Sequence, residues 1–151
     1  MSVAAGLTNT GQAFGTRSYR NFVLISLTAV YTLNFVDRVL IGVVAQPIIE
    51  EFKLQDWQFG LLSGFGFALM YTVMGIPIAR WSERSNRVHI IAASVILWSL
   101  MTALCGIAEG FLSLLVFRIG VGIGEAGCTP PANSIIADYF PARARARALA
   151  T

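Results

Sequence analysis

Long apolar stretches separated by short charged segments form the main pattern of the chain. Four such stretches cover residues 22–49, 59–79, 88–108 and 111–137. About 20 residues of α-helix, rising 1.5 Å each, cross a hydrocarbon core of roughly 30 Å, so each stretch is long enough to span a membrane. A helix also satisfies its own backbone hydrogen bonds in lipid. The pattern predicts an all-α integral membrane protein.

The composition supports this class. The chain is 56% hydrophobic and 13% charged, whereas a soluble domain carries about 25% charged residues. A chain with so few charges cannot face water on all sides. Its net charge of +3 reflects how arginines are distributed among the connecting segments, and we predict no nucleic-acid partner.

Charge in the connecting segments predicts the orientation. Eight arginines lie before the first stretch, between the second and third, and after the fourth, whereas the other two connections carry one cation, Lys53. The arginines are Arg17, Arg20, Arg80, Arg84, Arg87, Arg143, Arg145 and Arg147. The positive-inside rule places both chain ends in the cytoplasm. We therefore predict an inner or plasma membrane location, a cytoplasmic tail over residues 1–20 and a membrane domain over residues 21–151.

Four charged residues lie within the apolar stretches. Asp37 and Arg38 interrupt the first, and Arg118 and Glu125 interrupt the fourth. From the helical rise, Asp37 and Glu125 lie about 18 Å and 21 Å below the outer membrane edge, and Arg118 about 10 Å below it. A charge at the bilayer centre costs about 2.5–3.5 kcal/mol on insertion scales. We therefore expect these side chains to face one another or water rather than lipid.

Helical spacing assigns the charges to two faces. Asn34 and Arg38 share one face of the first helix, which Asp37 flanks. Arg118, Gly122, Glu125 and Thr129 form a polar or small stripe on the fourth. The list of candidate substrate- or proton-binding residues is Asp37, Arg38, Arg118, Glu125 and Asn34. Two interpretations stay open: structural ion pairs that join two helices, or a transport site.

Glu125 is the first candidate for a proton acceptor. Burial favours the neutral form of a carboxyl group unless a cation lies beside it. Arg38 is adjacent in sequence to Asp37, so Glu125 is the freer carboxylate if Arg38 turns toward Asp37.

An internal repeat is visible in the same two helices. The segment AQPIIEEF over residues 45–52 matches ANSIIADY over residues 132–139 at an offset of 87, which also carries Arg38 onto Glu125. The two helices run in opposite directions through the membrane. An inverted repeat of three helices plus three would produce this pattern, and such repeats are common in secondary transporters.

Enzyme chemistry has no support in the sequence. Gly122, Gly124 and Gly127 match G-x-G-x-x-G, but they lie inside an apolar helix without the strand that a dinucleotide site requires. These glycines, with Gly120, Gly60 and Gly64, are expected to permit close helix contact. We predict no catalytic residue, cofactor or metal ligand, because no metal-ligand spacing or nucleophile–base set is present.

The loop ARWSERSNRV over residues 79–88 resembles the signature between helices two and three of the major facilitator superfamily. Glu83 takes the acidic position, and Arg84 and Arg87 keep basic ones. The chain departs from the family pattern at Ala79, Asn86 and Val88. Five further segments in order resemble the spinster-like branch over residues 19–151: NFVDRVLIGVV, FGLLSGFGFALMY, SNR, RIGVGIGEAG and SIIADYFP.

The resemblance implies the first four helices of a twelve-helix, alternating-access carrier built from inverted repeats. It implies protonation roles for Asp37 and Glu125, and anion binding or ion pairing for Arg38 and Arg118. It also implies an inner gate that closes against the other half of the carrier. The gate residues would be Glu83, Arg84, Arg87 and Asp138. Eukaryotic spinster-like members move lysolipids and sphingoid lipids.

The sequence thus predicts a proton-coupled secondary transporter of an amphipathic or anionic organic solute, for example a lysolipid-like one. Its partners would be the solute, protons, the bilayer and the remaining C-terminal helices, because the segment RARALAT resembles the start of a fifth helix and we expect a fragment. The alternative is a self-contained four-helix membrane protein that acts as an oligomeric structural or small efflux module.

Overall fold

A computed structural model describes residues 16–140, which form four helical spans joined by short turns. All four are long and apolar enough to cross a membrane. Span 1 comprises α1 (Arg17–Val43) and α2 (Ala45–Phe52); span 2 comprises α3 (Asp56–Gly60), a π-helical turn (Leu61–Phe65) and α4 (Gly66–Arg84); span 3 is α5 (Arg87–Cys105); span 4 comprises α6 (Phe111–Ala126) and α7 (Thr129–Tyr139).

The helices differ from the apolar stretches at their ends. The first begins at Arg17, where the Thr16 hydroxyl accepts a hydrogen bond from the Tyr19 amide at 3.3 Å. Four residues of the predicted tail are therefore helical. Hydropathy marks the residues that suit lipid, whereas capping side chains decide where a helix begins. Residues 1–15 and 141–151, including the RARALAT segment, lie outside the described residues.

Span 4 lies at the centre of the bundle. In its most apolar 18-residue segment 50% of the residues are buried, whereas the corresponding segments of the other three spans are 22% buried or less. Close approach of span 3 explains this, because a Cβ atom on Gly124 would lie 2.7 Å from the Trp98 backbone nitrogen. The expected close contact is confirmed on span 4. Gly60 and Gly64 make no such contact within residues 16–140, since no described atom lies within 4 Å of an added Cβ.

The outer surface of the bundle is strongly apolar. Large side chains of span 1 such as Phe22, Phe35 and Val43 are 65%, 68% and 72% exposed. Apolar surface of this extent requires lipid or further protein around it. Three of the four charged residues within the spans, Asp37, Arg118 and Glu125, are buried instead.

Candidate functional site: an intramembrane charge cluster

Two ion pairs join span 1 to span 4 inside the membrane region. Arg118 donates from Nη1 to Oδ2 of Asp37 at 3.0 Å. Arg38 donates from Nε to Oε2 of Glu125 at 2.8 Å. The four charged residues therefore meet one another, as the cost of charge in lipid led us to expect.

The pairing corrects one premise of the sequence analysis. Arg38 turns toward Glu125 and not toward its neighbour Asp37, so the condition on which Glu125 was expected to be the freer carboxylate is not met. Consecutive residues of an α-helix do not face each other, and Asp37 and Arg38 consequently find different partners. Asp37 accepts a second hydrogen bond at Oδ1 from the Thr102 hydroxyl of span 3, at 3.1 Å.

The second ion pair joins equivalent positions of the predicted repeat. Arg38 and Glu125 are separated by 87 residues, the same offset that relates the segments 45–52 and 132–139. In an inverted repeat the two-fold axis lies in the membrane plane. A contact between equivalent residues is what such an axis produces where it passes between two helices.

Burial distinguishes Arg38 from the other three. Asp37, Arg118 and Glu125 are 7%, 5% and 1% exposed, but the Arg38 side chain is 43% exposed. Oε1 of Glu125 is buried and has no hydrogen-bond partner among residues 16–140. Leaving a buried polar atom unpaired costs about 1–3 kcal/mol. The site therefore combines an accessible cation with a carboxylate that has one oxygen to spare.

Two cavities reach the ion pairs from opposite ends. The inner pocket, about 270 Å³ in volume, is lined by Tyr31, Asn34, Phe35, Arg38, Tyr71 and Thr129. The outer cleft (inner and outer follow the predicted orientation) is about 340 Å³ in volume and reaches Asp37, Thr102 and Arg118, with Glu51 nearer the end of span 1. No described residue lines both cavities. Arg38 thus faces the inner pocket with Glu125 buried behind it, and both members of the Asp37–Arg118 pair face the outer cleft.

Asn34 lies in the inner pocket, as the face of the first helix predicted. Its side-chain amide donates to the Val30 carbonyl at 3.1 Å. Its Oδ1 is buried without a hydrogen-bond partner in the described part of the chain. This oxygen is a second unused acceptor, close to Arg38 on the same helix face.

Aromatic residues of span 2 complete the site and were missed in the sequence analysis. The Arg38 guanidinium carbon lies 5.1 Å from the Phe67 ring centre and 4.9 Å from that of Tyr71. The Tyr71 hydroxyl and the Thr129 hydroxyl are hydrogen-bonded at 2.9 Å. The four-residue spacing of Phe67 and Tyr71 is a helical-face signal, but span 2 carries no charge between residues 59 and 79 that would have drawn attention to it.

The predicted gate residues lie at the helix ends on the side of the bundle where span 1 begins. Arg87, at the start of span 3, forms an ion pair with Asp138 near the end of span 4. Glu83 and Arg84, at the end of span 2, are exposed and form no ion pair within residues 16–140. The structure therefore brings together one half of the predicted gate set.

The class of protein follows from these features. Four membrane-crossing helices enclose paired charges that two cavities reach, and intramembrane ionisable residues of this kind mark substrate or ion pathways. Residues 16–140 contain no cluster of His, Cys, Asp or Glu that could hold a metal ion. The chain belongs to the Major Facilitator Superfamily, whose sequence profile matches residues 27–151.

Similar proteins place the chain in the spinster-like branch. It is 61% identical to a bacterial homologue of the human lysosomal transporter Spinster, solved in an inward-facing, unoccupied conformation, with a TM-score of 0.86 over 90% of this chain and 28% of that one. It is 42% identical to an MFS-type efflux pump of Mycolicibacterium smegmatis over 82% of this chain and 29% of the pump. It is 32% identical to a D-galactonate transporter of Escherichia coli over 89% of this chain and 31% of the transporter.

These matches confirm the predicted family, branch and fold class, which is the first four helices of a major facilitator fold. The chain spans less than a third of the length of each of these three relatives. The family is one of integral membrane transporters of small molecules. Substrate and coupling are properties of the whole transporter.

Proposed function

We propose that the chain forms the N-terminal part of a proton-coupled secondary transporter, which moves an anionic or amphipathic organic solute by alternating access. The Arg38–Glu125 pair is the observation that carries the proposal. It joins the most exposed cation of the charge cluster to its most buried carboxylate. The family match favours this function over the self-contained four-helix module.

Competition between Glu125 and the anionic solute for Arg38 would couple transport of the solute to that of the proton. Glu125 accepts from Nε of Arg38, and a guanidinium carries further N–H donors suited to a carboxylate or phosphate. A proton on Glu125 cancels its charge and weakens its hold on Arg38, which is then free to bind the anionic group. Binding of the anion and of the proton therefore favour each other.

The walls of the inner pocket support an organic solute. Tyr31, Phe35 and Tyr71 offer aromatic surface, while Asn34 and Thr129 offer hydrogen-bonding groups. Such a mixture suits a solute with an anionic end and a hydroxylated or apolar body. D-galactonate, the substrate named for one relative, has an anionic carboxylate, and a lysolipid has an apolar tail beside its phosphate.

Transport by the native, full-length gene product in proteoliposomes tests this proposal. D-galactonate serves as the hydrophilic anionic probe and lysophosphatidate as the amphipathic one. An imposed pH gradient should raise the uptake of one probe, and Arg38→Ala should weaken its apparent affinity roughly 10- to 100-fold, because a charged hydrogen bond contributes about 1.5–3 kcal/mol. Arg17→Ala, at the exposed start of span 1, is the matched control. If a probe is taken up at the same rate with and without the pH gradient, proton coupling is contradicted.

The inner gate is part of the same proposal. The Arg87–Asp138 pair links spans 3 and 4 at the cytoplasmic side, whereas Glu83 and Arg84 are left exposed. Their free charges are available to residues of the other half of the carrier. Closure against that half would be favoured by new ion pairs and would alternate with opening to the cytoplasm.

A cytoplasmic N-terminus completes the proposed arrangement, and cysteine labelling tests it. Single cysteines replace Ser85, in the turn between spans 2 and 3, and Glu109, between spans 3 and 4. The background carries alanine at Cys105 and Cys128. A membrane-impermeant thiol reagent should label the Glu109→Cys variant in intact cells, and the Ser85→Cys variant after the membrane is permeabilised. The reverse pattern would invert the topology.

A further inference from the structure

Phe67 occupies a specific place in the charge cluster that ion pairing alone does not explain. Its ring centre lies 5.1 Å from the guanidinium carbon of Arg38 and 5.7 Å from that of Arg118. One aromatic ring thus contacts the cation of each ion pair. Cation–π attraction at such distances opposes displacement of either arginine.

Span 4 is shaped to receive this ring. A Cβ atom on Gly122 would lie 3.3 Å from Cδ2 of Phe67 and 3.2 Å from its carbonyl oxygen. Gly122 lies on the helix face between Arg118 and Glu125, one turn from each. The ring therefore packs against span 4 at the level that separates the two ionised residues.

The local backbone of span 2 directs Phe67 there. A π-helical turn over Leu61–Phe65 ends directly before it, and such turns insert one residue into a helix and often occur at functional sites. A Cβ atom on Gly66 would lie 2.7 Å from the Leu61 carbonyl oxygen, so the π-helical turn requires glycine after it. Tyr71 lies one turn further on and stacks on Phe67, with 6.0 Å between the ring centres and 25° between the ring planes.

Phe67 lies between the arginines of two separate cavities. The inner pocket reaches Arg38, and the outer cleft reaches Asp37 and Arg118, with no described residue common to both. Phe67 contacts one arginine from each cavity. An apolar ring offers a proton no site and excludes the water that could carry one.

We propose that Phe67 is a positioning residue that keeps the two ion pairs apart, so that no proton passes between the outer cleft and the inner pocket in the absence of substrate. The charged and titratable groups around it are Arg38 and Asp37 of span 1, Arg118 and Glu125 of span 4, and Tyr71 of its own span. The role rests on the proposed proton coupling, because it is the device that prevents uncoupled proton flow.

Proton leak in proteoliposomes of the full-length transporter tests the inference without any substrate. A valinomycin-clamped potassium gradient drives protons inward, and trapped pyranine reports internal pH. Phe67→Ala should raise the leak about tenfold, which corresponds to a barrier about 1.4 kcal/mol lower. Phe67→Tyr, which keeps the ring, should leave the leak near that of the wild type. Phe65→Ala is the matched control, since Phe65 lies on the same span and is 67% exposed.

A second variant separates a specific path from a damaged protein. In Phe67→Ala combined with Glu125→Gln the added leak should disappear, because the proton then lacks its acceptor beside Arg38. A leak that persists in the double variant, or no leak in Phe67→Ala, overturns the inference.

The same vesicles distinguish this inference from the proposed function. If the wild type takes up D-galactonate or lysophosphatidate in response to the gradient but Phe67→Ala shows no leak, proton coupling is supported and the role of Phe67 is wrong. A Glu125-dependent leak without gradient-driven uptake retains the role of Phe67 as a barrier and removes the proposed coupling.

Discussion

Replacing Glu125 by glutamine is expected to abolish the proposed proton-driven transport, or to leave a residual transport that no longer depends on pH. Glutamine keeps the size of the side chain and its carbonyl can still accept the hydrogen bond from Nε of Arg38. It cannot take up a proton and it carries no charge. A charged hydrogen bond contributes about 1.5–3 kcal/mol, so we expect maximal gradient-driven uptake to fall roughly 10- to 100-fold.

The measurement is uptake of the transported probe across a series of external pH values. Glu109→Gln makes the same chemical change at an exposed position between spans 3 and 4 and should keep the wild-type profile. A Glu125→Gln variant with a wild-type pH profile would remove Glu125 from the coupling mechanism. The result separates a transport role from a structural one, because a purely structural ion pair would affect yield and stability without altering the pH profile.

The membrane class, the four spans and the meeting of the four charges could all be predicted from the sequence. The physical reason is the high cost of exposing charge or an unpaired backbone to lipid, which leaves few arrangements. Helical rise placed Asp37 and Glu125 at similar depth, and helical spacing placed Asn34 beside Arg38. These are properties of single helices and do not depend on how the spans pack.

The choice of partners could not be predicted. The side chains of Asp37 and Arg38 leave the helix in different directions, and their partners depend on how span 1 is rotated and on where span 3 brings Thr102. Depth alone suggested that Arg118 lay one to two turns outside Asp37, yet the length of the arginine side chain closes the gap to 3.0 Å.

The aromatic part of the site was hidden for a different reason. An uncharged aromatic residue in a transmembrane helix has the same sequence appearance whether it faces lipid or a buried cation. The π-helical turn over Leu61–Phe65 also shifts the helical register, so regular spacing across span 2 misplaces the faces before and after it. Phe67 and Tyr71 became visible only through their distances to Arg38.

Arg118→Ala should have the largest effect on stability. Arg118 and Asp37 are both buried, with side chains 6% and 7% exposed, so the substitution leaves a carboxylate in the membrane interior without its cation. Breaking a buried ion pair by removing one partner costs about 3–5 kcal/mol. We expect a strongly lowered thermal unfolding temperature for the full-length transporter in detergent, and a low yield in membranes. Arg80→Ala, at an exposed position of span 2, should unfold like the wild type.

Neutralising both partners at once tests whether this pair serves stability or transport. In Asp37→Asn combined with Arg118→Gln, two amides can hydrogen-bond to each other, and no charge is left unpaired in the interior. Replacing a whole buried ion pair is often neutral or stabilising, so unfolding should return close to the wild-type temperature. Gradient-driven uptake should stay lost, because the outer cleft then holds no titratable carboxylate beside an arginine. Recovery of both stability and uptake would show that the Asp37–Arg118 pair is structural and that the coupling depends on the Arg38–Glu125 pair alone.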